Sequence, residues 1–141
     1  MNKRNSKKIY ITDNDMNRLE ELLEVASAVN IRDNKHLEEL AGELEKADVV
    51  ESTAIPANVI TMNSVVLLKD LETGEERRFT LVFPRQANIE QNKVSILAPV
   101  GTAMIGCRIG HVIVWNAPAG QRKMRVEKIL YQPEAAGDFH L

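Results

Sequence analysis

The chain has 141 residues, 44% of them hydrophobic and 27% charged, with a formal net charge of −2. That is enough for about one domain with a modest core, and it excludes a globally disordered chain. Bulk attraction to nucleic acid is not written into the total charge, and 4% aromatics leave few platforms for stacking single strands.

Charge is uneven along the chain. Residues 1–11 carry Lys3, Arg4, Lys7 and Lys8 and no acid, which reads as a basic tail. Residues 12–51 carry 12 acids against 4 bases, and residues 52–141 carry 8 acids against 10 bases. Two modules with different surfaces fit this asymmetry, as does a plain solvated helical face.

Residues 12–51 read as a helical hairpin. Thr12 is a hydroxyl N-cap followed by Asp13, Asn14 and Asp15, acids that suit the start of a helix. Met16, Leu19, Leu22, Leu23 and Ala26 then fall at steps of three and four and make one apolar stripe. Asn30 to Lys35 is a polar turn with Ile31 inside it, and Asp33 or Asn34 is placed to cap a second helix. Its stripe is Leu37, Leu40, Ala41, Leu44 and Ala47. A short loop between two one-sided helices predicts an antiparallel pair, a short coiled coil that packing must stabilise.

Residues 52–58, with Pro56, read as a linker, and residues 59–141 as a β-rich domain. Strands are expected over Val59–Leu68, Arg78–Phe83, Val94–Leu97, His111–Trp115 and Met124–Tyr131. Asp70-Leu71-Glu72-Thr73-Gly74 is a hairpin turn in which Gly74 is free to take positive φ. Pro99 opens one short helix, to about Cys107, that Gly106 or Gly110 would end. The class is α+β.

The residues specify no active site. Cys107 is the single cysteine, so there is no disulfide framework, and it has no CxxC partner; it reads as a small buried hydrophobe. His36, His111 and His140 do not stand at metal-ligand spacing with Cys107 or a carboxylate. The nucleophile-elbow, P-loop and dinucleotide fingerprints are absent from the sequence. Glu20-Glu21 and Glu38-Glu39 lie on the backs of the helices. The longest uncharged run, Val94 to Cys107, is interrupted by Pro99, Gly101 and Gly106 and is too short to cross a bilayer. No membrane, no metal, no cofactor and no catalytic residue is therefore expected, with a cytoplasmic location.

The run Val94-Ser95-Ile96-Leu97-Ala98-Pro99-Val100-Gly101-Thr102-Ala103-Met104-Ile105-Gly106 resembles a strand and Ser-Pro-x-Gly segment of the Gre transcript-cleavage factor family. Leu81-Val82-Phe83-Pro84, Gly110 and Pro118-Ala119-Gly120 resemble further segments of it. The short hairpin, Val59–Ser64 and Tyr131–Asp138 are similar to the Rnk branch of that family. The resemblance covers almost the whole chain beyond the basic tail. It implies a helical hairpin on an FKBP-like antiparallel β domain that docks near the secondary channel of bacterial RNA polymerase. It implies that Leu97, Ala98 and Pro99 form the docking loop, where some members carry Asp-Ser-Pro. Family hairpins help to hold a catalytic Mg²⁺ through acids at the tip, whereas this tip offers Asp33 beside Arg32 and Lys35, and the hairpin is shorter. The expectation is a non-enzymatic transcription regulator that competes with Gre factors without stimulating cleavage. The alternatives are an active cleavage factor, a prolyl isomerase suggested only by the fold, and a protein-interaction module with another partner. Sequence-specific nucleic-acid binding is not expected, and the oligomeric state is left open.

Overall fold

The computed structural model describes residues 9–28, 35–117, 120–139 and 141, with the side chains of residues 27, 28, 35 and 36 outside that set. Strand β1, Tyr10–Thr12, leads into helix α1, Asp13–Ala28; helix α2, Lys35–Lys46, leads into strand β2, Asp48–Val50. β1 and β2 pair in parallel, Ile11 opposite Val49. Parallel strands need a long crossover, and the two helices supply it.

Residues 9–11, expected to belong to the basic tail of residues 1–11, are therefore part of the folded unit. Ile9 and Ile11 are 2% and 1% exposed and sit in the core, and Tyr10 donates its N–H to the carbonyl of Gly106. Ile9, Tyr10 and Ile11 are an apolar, β-prone step that follows the last lysine of the basic run in sequence, Lys8.

Both stripes are buried as their spacing requires. Met16, Leu19 and Ala26 on α1 and Leu37, Leu40 and Leu44 on α2 face inward, with Leu22 and Leu23 half-buried. Leu19 and Leu40 are fully enclosed, each contributing about 2 kcal/mol of transfer free energy. The paired acids Glu20-Glu21 and Glu38-Glu39 are exposed, as solvated helix backs.

After a 3-10 turn at Ser52–Ala54 the chain builds a five-stranded sheet. Its strands are β3, Val65–Asp70; β4, Glu76–Val82; β5, Lys93–Ser95; β6, Val112–Ala117; and β7, Gly120–Tyr131. The order is β5-β4-β3-β7-β6. All neighbours are antiparallel except edge strand β5, which runs parallel to β4. Val59 to Ser64 is not part of the first strand. It forms a single bridge at Val59 and then a buried connection.

The β3–β4 turn is the one expected. Asp70 Oδ1 accepts the N–H groups of Glu72 and Thr73, and Gly74 takes φ +77°. These bonds, Glu72 first, and the Arg122 guanidinium hold the Asp70 carboxyl below its ordinary value despite burial. Helix α3, Pro99–Met104, and helix α4, Pro133–Ala136, complete the chain.

One core joins helices and sheet. Ile9, Ile11, Met16, Leu19, Leu40 and Leu44 share a cluster with Ile60, Met62, Leu68, Leu81, Ile96, Met104, Ile113 and Val126. Cys107 is fully buried in it, and its thiol donates to the Ala103 carbonyl.

Candidate functional site

Leu97, Ala98 and Pro99 link β5 to α3. The Ser95 hydroxyl accepts the Leu97 N–H at 3.0 Å, and the Ser95 carbonyl accepts that of Ala98 at 3.0 Å. Thr102 Oγ1 donates to the Ile96 carbonyl at 2.7 Å and ties the helix back to the strand. Pro99 is the first helical residue, where its missing N–H costs nothing. Ala98 is the N-cap, extended at φ −73° and ψ 151°, and supplies no capping side chain. A Cβ on Gly101 would lie 2.0 Å from the Ser95 carbonyl oxygen, so only glycine lets α3 approach the strand this closely. Leu97, Ala98 and Pro99 are all half-buried, and the buried part of Leu97 packs against the core.

Arg32 and Asp33 at the hairpin tip lie outside the described residues, as does the side chain of Lys35, whose backbone opens α2.

A buried polar junction joins α1 to the β layer. Asp15 donates its N–H to Thr12 Oγ1 at 3.0 Å, the N-cap bond that the sequence predicts. Its carboxylate is engaged elsewhere. Oδ2 accepts the Met62 N–H at 3.0 Å, and Oδ1 accepts Arg18 Nη2 at 2.7 Å. Arg18 also donates to the Leu141 carbonyl and lies 5.0 Å from the centre of the Phe83 ring. One residue before Met62, Thr61 Oγ1 donates to Glu134 Oε1 at 2.8 Å.

Burial pushes the carboxyls of Asp15 and Glu134 above their ordinary values. Met62, Arg18 and Thr12 oppose the rise at Asp15; Thr61 opposes it at Glu134, while the nearby Asp15 charge adds to it.

The two stretches that carry the Rnk-like resemblance thus meet in space, through Thr61 in one and Glu134 in the other. Gln132 reinforces them. Its side-chain amide donates to the carbonyls of Pro56 and Val59 and its Oε1 caps α4 by accepting the Ala135 N–H. Tyr131 donates to the Asp138 carboxylate, a bond that leads the causes pushing the phenol up to about 12. Sequence reasoning missed this junction. Asp15 reads as a helix-start acid, and nothing local to Thr61 or Glu134 reports a contact 73 residues away.

A second feature adjoins the docking loop. A groove of about 480 Å³ runs between α2, α3 and β6, lined by Gly42, Pro99, Ala103 and Trp115 among others. A Cβ on Gly42 would meet nothing within 4 Å. Mid-helix glycine costs roughly 0.5–1 kcal/mol relative to alanine, and no internal contact requires it here. Among the described residues there is no group of three or more His, Cys, Asp or Glu side chains placed to hold a metal ion. Nor is any described helix long and apolar enough to cross a membrane.

A short helical unit on a β layer with a proline-led helix after its third strand defines a class, and the comparisons identify it. Residues 55–131 match the family profile of the transcription elongation factor GreA/GreB C-terminal part. Residues 7–50 match the profile of the Rnk N-terminus. The protein belongs to the Rnk branch of the GreA/GreB family. It is 37% identical over 134 residues to the regulator of nucleoside diphosphate kinase of Escherichia coli K12, covering 94% of this chain and 96% of that one. Transcription elongation factor GreA of Thermosipho melanesiensis is 37% identical over 90 residues, 64% of this chain and 56% of the relative. Among solved structures, a prokaryotic transcription elongation factor GreA/GreB from Nitrosomonas europaea superposes with a TM-score of 0.72 at 38% identity, covering 88% of this chain and 98% of the other.

Proposed function

We propose that this protein is a transcription regulator that binds bacterial RNA polymerase near its secondary channel, competes there with Gre factors, and does not stimulate transcript cleavage. The observation that carries the reading is reach. α1 has 16 residues and α2 has 12, so the helices are about 24 Å and 18 Å long. Residues 29–34 between them contain one acid, Asp33, beside Arg32. Mg²⁺ chemistry needs carboxylates delivered to the metal, and a short arm with one tip acid delivers little. Binding through Ala98 and Pro99 is the corresponding docking contact, with Leu97 supporting the loop from the core side.

Competition for purified polymerase tests the reading. The protein is expected to displace a Gre factor at micromolar concentration or below and to leave transcripts in backtracked complexes at full length. Because Leu97 packs against the core, the separating variant is Ala98→Arg, which is expected to weaken binding at least tenfold with an unchanged unfolding midpoint. Absence of polymerase binding, or shortened transcripts, overturns it.

A further inference from the structure

We infer that the groove between α2, α3 and β6 receives a cationic side chain, arginine or lysine, from an extended segment of a protein partner. The inference deepens the preceding reading, because Pro99 of the docking loop is also part of the groove wall.

Three observations converge on this occupant. Gly42 leaves the α2 backbone bare toward the groove, although its Cβ would touch nothing in the protein. Glycine weakens a helix interior relative to alanine. The fold does not need the space above Gly42, and an approaching partner does. The opposite wall offers Trp115, with Ala103 and Pro99 beside it. Indole is the best of the aromatic faces for a cation.

The α2 wall is acidic. Glu38 and Glu43 face the groove against the one cation Lys46. An anionic partner is repelled there, whereas a guanidinium fits both the carboxylates and the indole. The volume, about 480 Å³, suits a long side chain with an apolar neighbour.

Trp115 is the only tryptophan of the chain and reports the groove directly. The experiment titrates its emission in the full-length protein with the blocked peptide Leu-Arg-Leu-Arg-Leu and with its glutamate counterpart. It measures polymerase affinity in parallel. A saturable change with the arginine peptide alone is expected, weakened at least tenfold in Gly42→Leu and in Glu43→Gln. Gly42→Leu raises helix propensity, so its unfolding midpoint should hold or rise while its polymerase affinity falls at least tenfold. Glu43→Gln repeats the test with the shape preserved.

No response to the arginine peptide up to millimolar concentration overturns the inference. So does Gly42→Leu that binds polymerase as the wild type does, even if Ala98→Arg still fails to bind. An emission shift on removing residues 1–8, with no peptide response, assigns the groove to the chain's own basic segment and also overturns it. A peptide response in a protein that does not bind polymerase supports the groove and sinks only the polymerase reading.

Discussion

The carboxylate of Asp15, near the start of α1, accepts the backbone N–H of Met62 at 3.0 Å across the boundary between helices and sheet. Both residues are fully enclosed. The bond fixes where α1 leaves the β layer, and with it the direction in which the hairpin points. The interface is set by a hydrogen bond to backbone, so a change of the residue 62 side chain other than to proline leaves it intact, whereas losing the side-chain acceptor at residue 15 removes it.

Asp15→Ala orphans the Met62 N–H and strips Arg18 of its nearest carboxylate. Removing one partner of a buried charged pair costs about 3–5 kcal/mol. Arg18 is about a third exposed, so about 3 kcal/mol is expected here. Asp15→Asn keeps an acceptor for Met62 and should cost about 1 kcal/mol. Urea unfolding checks both, with the midpoint falling and the slope unchanged. Equal losses for the two variants would show that the charge, not the Met62 bond, holds the junction.

Glu134 gives a pH dependence of defined sign. Burial raises its folded-state value above the ordinary 4.5, so the folded protein holds this proton more tightly than the unfolded chain. The stability it contributes is present below 4.5 and is lost as pH rises through the raised value. Asp15 acts in the same direction from 3.8. Glu134→Gln retains an acceptor for Thr61 and removes the titration. Its stability at pH 7 should equal or exceed that of the wild type, and the decline above pH 4.5 should be shallower. Denaturation midpoints between pH 4 and pH 8 measure this; a steeper decline in the variant contradicts the assignment.

What the residues disclose in advance follows from how local each signal is. The α1 and α2 stripes, the Asp70–Gly74 turn and the Pro99 helix start are each written within a few positions, and each lies where its pattern puts it. β1 is hidden because three residues, Tyr10 to Thr12, are too few to show a period of two, and their partner β2 lies 38 positions on. Val59–Ser64 looks like strand by composition, yet it makes no continuous ladder: its groups bond to Cys107, Asp15 and Glu134, and it meets β4 through Leu81, whose carbonyl accepts the Asn63 N–H and whose N–H donates to the Ser64 carbonyl. The junction is illegible for the same reason. The Trp115–Gly42 groove is illegible too, since an unexplained helical glycine becomes informative only once the space above it is seen to be open.

Gly101 tests how tightly α3 is seated. A methyl group at this position meets the Ser95 carbonyl oxygen at 2.0 Å, and the obstacle is backbone, which cannot swing aside. Gly101→Ala must lift α3 from β5 or break the Thr102–Ile96 tie. Overpacking of this kind costs about 3 kcal/mol or more. The variant should lose cooperative unfolding midpoint and polymerase binding together, unlike Ala98→Arg, which should lose binding alone. A Gly101→Ala protein as stable as the wild type would mean that the α3 approach is looser than described.

Ala98 offers the opposite sign. The residue already has the extended backbone of an N-cap, its carbonyl already accepts the Thr102 N–H, and Pro99 follows with φ fixed for the first turn. Only the capping oxygen is missing. Ala98→Ser places a hydroxyl within reach of the Gly101 N–H, one of the orphan donors of α3. Reversing an alanine cap is worth about 1 kcal/mol. In a chain of this size that raises the thermal midpoint by about 2–4 °C. The serine adds a polar group at the loop surface and removes nothing, so polymerase affinity should hold or improve. Calorimetry and the competition measurement read the two effects separately. A higher midpoint with weaker binding would show that the partner needs the apolar surface of Ala98 itself, and that the loop trades helix stability for contact.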